Sequence, residues 1–306
     1  MRIGITLPTP GDAPDLPTLL DRMVEAEALG LATIWMPHIS ARGFDALTTL
    51  ALAGARTRTI ELGTWVVPTF PRHPAALAQQ ALTAQVASGG RLTLGIGLSH
   101  RVTMEGVFGF DFSRPVRHLR EYLTCLRGLL AGQTVTFEGE EFHVRGFQLT
   151  VPGATPPPVV VAALGPHMLR LAGQLADGTV IWMGGPRYLT EHVVPTIGAT
   201  ARAAGRPAPR VQVSVPVCVT DRPEAVRAAA AAAFARYGQL PSYRAILDKE
   251  GAAGPEAVAL IGDEATVRAG VAAFAAAGAT DFSAALFTPP GEDAQRTLAL
   301  LRSLAD

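Results

Sequence analysis

The feature that most constrains the fold of this 306-residue chain is a regular alternation of two kinds of segment. Short apolar runs rich in β-branched residues alternate, about eight times, with longer alanine-rich amphipathic runs. Such alternation is typical of parallel strands joined by crossover helices. The predicted strands are Arg2 to Leu7, Leu31 to Met36, Ile60 to Val67, Arg91 to Gly95, Pro158 to Ala163, Thr179 to Met183, Arg210 to Val219 and Thr280 to Leu286. The pattern alone fits a closed barrel and an open doubly wound sheet equally well.

Two of the intervening helices have recognisable ends. One runs from Asp15 to Leu29 and closes on Gly30, and another runs from Asp263 to Ala277 and closes on Gly278. Aspartate is a favoured helix N-cap, and glycine is the favoured residue just beyond a helix C-terminus. These ends support the division into strands and helices.

Two segments interrupt the repeat. Residues Gln133 to Val151 alternate like a β-hairpin, and Tyr237 to Pro255 is polar and bounded by glycine and proline. We therefore expect insertions after the fourth helix and after the seventh strand. Long connections in such proteins often carry function, so both segments are candidate lids.

Composition argues for one unit that acts on a small molecule. Lys plus Arg and Asp plus Glu both number 26, so the formal charge is zero and neither nucleic acid nor a membrane surface is an expected partner. Cys125 and Cys218 are too few for a disulfide framework, and the start MRIGITLP lacks the pattern of a signal peptide. We predict a cytoplasmic protein with a single domain over residues 1–306 and a small-molecule substrate.

Several reaction classes lack their motifs. The histidines show neither H-x-H nor H-E-x-x-H spacing, so no metal site is predicted. Gly95 to Ser99 lacks the third glycine of a dinucleotide-binding loop and the flanking pattern of a serine hydrolase, and the chain has no G-x-x-x-x-G-K-[ST] phosphate loop.

Four segments at predicted strand ends carry residues suited to chemistry. His38 follows the second strand, where an imidazole can exchange a proton near neutral pH; a surface histidine is the alternative. Trp65 lies in a strand that runs into a proline-rich loop, which is an unusual arrangement at a strand end; the alternative interpretation is an ordinary core tryptophan followed by a tight turn. Gly95 to Ser99 permits close approach of a planar ligand, or is a flexible turn. Pro166 suits a helix start that binds phosphate, or a plain helix start.

All three tryptophans, Trp35, Trp65 and Trp182, fall in the C-terminal halves of predicted strands. Ordinary core packing explains this placement, and so does an aromatic wall beside a flat cofactor. The residues alone leave both interpretations open.

The chain resembles the luciferase-like superfamily, specifically its bacterial branch of coenzyme F420-dependent oxidoreductases. The resemblance rests on five ordered segments: GLATIWMPH, IELGTWVVPTFPRHPAALAQQALTAQVASGGRLTLGIGLSH, EYLTCLRGLLAGQTVTFEGEEF, VVVAALGPHMLRLAGQLADGTVIW and VALIGDEATVRAGVAAFAAAGATDF. It implies a (β/α)8 TIM barrel, with the cofactor ring at the C-terminal ends of the strands.

The resemblance also implies roles for particular residues. His38 matches a proton donor or acceptor beside the ring, although Pro37 stands where relatives often have an aspartate. His100 stands where some relatives have a glutamate, which makes it a candidate second acid or base. A non-prolyl cis peptide is implied at Trp65-Val66, against the ring face. The expected cofactor contacts are Thr64, Trp65, Val66, Gly97, Leu98 and Ser99 near the ring, and Ala163, Leu164, Gly165, Pro166, His167 and Met168 around its phosphate.

The resulting hypothesis is an F420-dependent oxidoreductase that transfers a hydride between the deazaflavin C5 and a small organic substrate, with His38 handling the proton. One alternative is an FMN-dependent monooxygenase that uses reduced flavin from a partner reductase. A second is a non-catalytic flavin-binding barrel. Alanine-rich helices with apolar outer faces also predict a homodimer.

Overall fold

The computed structural model describes residues 1–40 and 42–305, and in them eight parallel strand positions close into a barrel surrounded by helices. The strands are β1 (Arg2–Thr6), β2 (Thr33–Met36), β3 (Glu61–Thr64), β4 (Val67–Pro68), β5 (Leu92–Gly97), β6 (Val135–Glu138), β7 (His143–Phe147), β8 (Val159–Ala162), β9 (Gly178–Trp182), β10 (Arg210–Val219), β11 (Leu260–Gly262) and β12 (Asp281–Leu286). The ring closes because β10 pairs with both β9 and β12, and β12 pairs with β1. The predicted (β/α)8 TIM barrel is confirmed.

The helices cover the outside of this ring. They are α1 (Leu16–Ala28), α2 (Ala46–Arg56), α3 (Pro74–Ala87), α4 (Arg101–Met104), α5 (Pro115–Leu130), α6 (Pro166–Leu175), α7 (Pro186–Tyr188), α8 (Val194–Ala203), α9 (Pro223–Gln239), α10 (Pro241–Glu250), α11 (Glu264–Ala276) and α12 (Gln295–Ala305). A π-helical turn at Leu189–Val193 joins α7 to α8. Within the described residues, no helix combines the length and the apolar character needed to cross a membrane.

The predicted helix caps occur as expected. Asp15 caps α1 and Asp263 caps α11, and in each case the carboxylate accepts a backbone N–H three residues later, at 2.9 and 2.8 Å. Gly30 and Gly278 follow the two helices with positive φ angles of 79° and 92°. This conformation favours glycine, which explains why both signals could be found in the sequence.

Two strand predictions need correction. The third predicted strand, Ile60 to Val67, is interrupted, so that β3 and β4 are separate elements. The strand β11 was missed. It pairs with the outer end of β10 and has three residues, which is too short for an alternating pattern to show in the sequence.

The interruption of the third strand is a bulge. Gly63 pairs with Thr93, and Val67 pairs with Ile96. The third strand therefore advances four residues where β5 advances three, so it carries one extra residue. The bulge contains the implied cis peptide bond between Trp65 and Val66, which is confirmed. Trp65 and Val66 therefore project at the strand end instead of continuing the ladder.

Thr64 replaces the backbone pairing that the bulge removes. Its hydroxyl donates to the carbonyl oxygen of Gly95 at 2.7 Å and accepts from the N–H of Gly95 at 2.8 Å. Both groups are buried, so leaving them without partners would be costly. The threonine thus secures the bulge against β5.

Trp35 fills the interior of the barrel below this bulge. Its ring is fully buried and lies edge to face with Trp65, with 5.5 Å between the ring centroids. The guanidinium of Arg210 lies 5.8 Å from the centroid of the Trp35 ring. Gly63 makes room for the ring, because a methyl group on its Cα would overlap the six-membered part of the indole.

The hairpin is confirmed as the antiparallel pair β6 and β7. It sits in the connection from α5 to β8, and its turn is held against α5. Glu121 of α5 accepts the backbone N–H groups of Glu140, Glu141 and Phe142 at 3.1, 2.8 and 3.1 Å. The turn of the hairpin is therefore fixed to α5.

The second interruption, Tyr237 to Pro255, is largely helical. It contains the end of α9 and all of α10, and it ends where a short 3-10 turn begins (Pro255–Ala257). It carries Tyr243 to within 6.0 Å of the His100 ring, measured between ring centroids. This insertion reaches the strand ends, as expected of a lid.

The packing of Trp35 against Gly63 can be tested by Gly63→Ala. We expect a loss of about 1 to 3 kcal/mol in the free energy of unfolding, because the rigid indole cannot yield to the added methyl group. Urea denaturation would measure the change. The matched control is Gly198→Ala in α8, where the nearest atom to the new methyl group is 3.6 Å away. That control should be neutral or stabilising, and equal stability of the two variants would contradict the prediction.

Candidate active site

An apolar floor lies at the C-terminal ends of the barrel strands. It consists of the half-exposed side chains of Trp65, Val66 and Ala162, which pack on a buried cluster formed by Trp35, Val160 and Val180. Gly97 lies beside them, since a methyl group on its Cα would come within 2.7 Å of Val66 Cγ2 and 3.2 Å of Ala162 Cβ. Three of the predicted ring contacts are therefore neighbours. Ala162 was not predicted and completes the surface.

Two predicted contact residues do not offer their side chains to this surface. Thr64 is fully buried, and its hydroxyl is occupied by Gly95. Ala163 is also fully buried and belongs to the core between strands and helices, because side chains alternate along a strand and Ala162 takes the inward position. Only backbone atoms of Ala163 remain available at the site.

Leu98 and Ser99 continue from Gly97 into the loop after β5. Both are half-buried, and Ser99 has a φ angle of 61°, in the left-handed region that few residues other than glycine adopt. The chain therefore turns sharply at the strand end. His100 follows directly and precedes the short helix α4.

His38 lies in the loop after β2 and has two partners on its Nδ1 side. The Oδ2 atom of Asp45 is 3.5 Å away, and the backbone N–H of Ala46 points at Nδ1 from 3.4 Å. Arg72 forms an ion pair with the same Oδ2 atom of Asp45. Burial, and then the positive charge of Arg72, lower the pKa of His38, while Asp45 acts in the opposite direction.

Asp45 is held in place by its own helix. It is the N-cap of α2, and its Oδ1 atom accepts from the N–H and the hydroxyl of Thr48 at 2.9 and 3.0 Å. Burial alone would raise the pKa of Asp45, but these hydrogen bonds and the charges of Arg72 and His38 lower it overall. The carboxylate is thus ionised and fixed.

His100 occupies a different environment. Its ring faces Tyr243, which in turn packs edge to face on Tyr237 with 4.9 Å between ring centroids. Burial lowers the pKa of His100, and the positive charge of Arg236 lowers it further. Both candidate acid-base histidines are therefore biased toward the neutral form.

The predicted phosphate segment begins α6. Gly165 is the N-cap, Pro166 is the first helical residue, and within the described residues no side chain caps the helix N-terminus. Pro166 and His167 are exposed, and the ring of His167 lies 3.1 Å from Arg170, between Nδ1 and Nη2. Leu164 and Met168 are half-buried, and the Leu164 carbonyl oxygen accepts from the Tyr188 hydroxyl.

Sequence reasoning missed the residues that surround the predicted ones. Asp45 could be noticed as an aspartate before a helical run, and Arg72 as the arginine of the motif PRHP. Nothing in the sequence indicated that either residue lies next to His38. Tyr237 and Tyr243 lie in the predicted insertion. Trp182, at the end of β9, packs edge to face on Tyr237, and its buried indole N–H lacks a partner within the described residues.

Comparison with other proteins gives relatives that are named as a reductase and a dehydrogenase. The chain is 32% identical over 208 residues to 5,10-methylenetetrahydromethanopterin reductase of Methanolobus tindarius, covering 68% of this chain and 62% of that protein. It is also 32% identical over 219 residues to F420-dependent glucose-6-phosphate dehydrogenase of Microbacterium testaceum, covering 67% and 65%. In both cases the chain spans less than two thirds of the relative's length.

Solved structures share the fold at low sequence identity. The coenzyme F420-dependent tetrahydromethanopterin reductase of Methanopyrus kandleri superposes with a TM-score of 0.80 at 21% identity, over 98% of this chain and 97% of that one. The oxygenating constituent of 3,6-diketocamphane monooxygenase from Pseudomonas putida, in complex with FMN, superposes with a TM-score of 0.76 at 18% identity, over 100% and 97%. These likenesses establish the fold and leave the cofactor open.

A family model of luciferase-like monooxygenases matches residues 1–281. The match begins before β1 and extends to the first residue of β12, so it includes the strand ends, the bulge and both histidines. This chain belongs to the luciferase-like monooxygenase family.

Proposed function

We propose that the protein is an F420-dependent oxidoreductase that transfers a hydride between the deazaflavin C5 and a small organic substrate. The observation that supports this most directly is the apolar floor of Trp65, Val66, Gly97 and Ala162. Small side chains at two of the four positions leave a surface on which a planar ring can lie. A relative at 32% identity, named as an F420-dependent glucose-6-phosphate dehydrogenase, agrees with this cofactor.

The start of α6 fits the phosphate of such a cofactor. A methyl group on Gly165 would meet no atom within 4 Å, so the space in front of this helix is open. Helix N-termini attract anions through free N–H groups and the helix dipole. The backbone N–H groups of His167 and Met168 would hold the phosphate beside Pro166, which has no N–H, with Ala163 and Leu164 approaching through their backbone.

His38 would handle the proton that accompanies hydride transfer. When bound, the deazaflavin supplies the carbon that accepts or donates the hydride. Because its pKa is lowered, His38 is neutral near pH 7 and can accept the proton of a substrate hydroxyl. In the reverse direction the imidazolium returns that proton. His100 is a second candidate, and Tyr243 beside it helps to exclude water.

The FMN-dependent monooxygenase is the rival function, because a structure with the same fold binds FMN. The two proposals differ in cofactor. A deazaflavin has carbon at position 5 and is poorly suited to oxygen activation, so cofactor preference also separates the reaction classes.

Cofactor preference is tested by titrating the purified protein with F420 and, separately, with FMN while following fluorescence quenching. We expect saturable quenching of F420 at lower concentration than that of FMN, in line with the relative named as an F420-dependent glucose-6-phosphate dehydrogenase. Free riboflavin serves as a control that lacks the phosphate. Tight FMN binding without F420 binding would overturn the proposal in favour of the monooxygenase.

The role of His38 is tested by His38→Ala. We expect turnover to fall by about 10²- to 10⁴-fold, the usual contribution of a general acid or base, with F420 binding retained. The assay would follow F420 absorbance while alcohols and sugar phosphates are screened as donors, and reduced F420 while compounds with C=C or C=N bonds are screened as acceptors. His143→Ala, an exposed histidine on β7, is the matched control. Unchanged turnover in His38→Ala would favour a different proton carrier.

No turnover by the wild type with any compound, despite F420 binding, would favour a non-catalytic barrel.

The homodimer expected from the sequence also stays a proposal. Leu52 of α2 and Val86 of α3 are each 43% exposed on neighbouring helices, which supports an apolar contact there. Light scattering should give twice the mass of one chain. The mass of a single chain at micromolar concentration would reject the dimer.

A further inference from the structure

The environment of His38 suggests a role for residues that the proposed function leaves unassigned. Pro37, the residue before His38, has no polar side chain, so no carboxylate is available from that position. Asp45 reaches the Nδ1 side of His38 instead, from the start of α2. We propose that Asp45 is a positioning residue which, together with Arg72, sets the protonation of His38. This inference rests on the proposed function.

The two oxygens of Asp45 have separate tasks. Oδ1 is committed to Thr48, through the backbone N–H and the hydroxyl. Oδ2 faces both Arg72 and His38. Because the capping bonds fix the carboxylate to the helix, the position of Oδ2 relative to the imidazole is also fixed.

The Nδ1 atom of His38 has a partner for each of its charge states. When Nδ1 carries no proton, it can accept the N–H of Ala46 at 3.4 Å, and the ring proton then resides on Nε2. When the ring is protonated, Nδ1 carries a proton that it can donate to Asp45 Oδ2 at 3.5 Å. Both distances are long for hydrogen bonds, so a small rotation of the ring can exchange one partner for the other.

Burial lowers the pKa of His38, and the two charges beside it act on that pKa in opposite directions. Within the described residues, the charged groups that shift its pKa are Asp45 from α2 and Arg72 from the loop after β4. Asp45 alone would hold the imidazolium, but Arg72 shares the same carboxylate oxygen and repels the imidazolium. The N-terminus of α2 repels it as well. His38 is thereby kept as a base that can take up and release a proton.

The test uses Asp45→Asn and Arg72→Gln, with the pKa of His38 measured by NMR on histidine-labelled, cofactor-free protein. Asparagine caps helices about as well as aspartate, so Asp45→Asn removes the charge and keeps the cap. We expect the pKa of His38 to fall below the wild-type value in Asp45→Asn and to rise above it in Arg72→Gln. These opposite shifts would not arise from a purely structural role of either residue.

Asp15→Asn is the matched control. Asp15 caps α1 with the same bond, from a backbone N–H three residues later at 2.9 Å, and it is absent from the groups that act on His38. It should leave the pKa of His38 unchanged while showing the small stability cost of an aspartate-to-asparagine change at an N-cap. An unchanged or raised pKa in Asp45→Asn, or an unchanged or lowered pKa in Arg72→Gln, would overturn the inference.

Turnover supplies a second readout once a substrate is known. In the direction where His38 accepts a proton, the acidic limb of the pH profile should move to lower pH in Asp45→Asn and to higher pH in Arg72→Gln. At pH 7 we expect Asp45→Asn to lose about tenfold in kcat, a part of the general-base contribution. The NMR result is independent of F420. Opposite pKa shifts without F420 binding would reject the proposed function alone, and F420 binding without those shifts would reject the inference alone.

Discussion

The floor of the site depends on the packing of Trp35 inside the barrel. The indole occupies the interior because Gly63 leaves room for it, and Arg210 lies near its ring on one side and Trp65 on the other. Arg210 is itself held by Asp281 and Glu61 at 2.8 and 2.9 Å. An ion-pair network at the base of the barrel therefore supports an aromatic layer, and that layer supports the surface at the strand ends. Since protein interiors are closely packed, a change at one level would be felt at the others.

The bulge in the third strand converts this packed interior into a binding surface. A regular strand would continue its ladder with β5, whereas the bulge turns Trp65 and Val66 toward the mouth of the barrel. The backbone N–H and carbonyl groups of Gly95 then form their hydrogen bonds with the Thr64 hydroxyl. The threonine was predicted as a cofactor contact, and its position suggested that role. Its hydrogen bonds give its side chain a structural task below the surface, and contact with a cofactor stays a prediction for its backbone.

The two histidines at the mouth receive their chemical character from different parts of the chain. His38 is governed by a helix cap and an arginine from a neighbouring loop, and His100 by burial beneath the insertion after β10 together with Arg236. Burial lowers the pKa of both, but among the residues that the structure describes only His38 has a carboxylate beside it. This difference is the physical reason for assigning the proton to His38 in the proposed reaction.

Much of the architecture could be predicted from the sequence because it rests on local signals. Strand and helix periodicity, aspartate caps and the glycines after α1 and α11 are properties of short segments, and the order of the family motifs selected a closed barrel over an open sheet. The three-residue strand β11 and the placement of the hairpin turn against α5 depend on contacts with distant segments and had no local signal. For the same reason the sequence identified His38 but not its partners. Asp45 and Arg72 are 7 and 34 residues further along the chain, and the pairing of β2 with β3 places the loops that follow these strands side by side, which brings both charges to one imidazole.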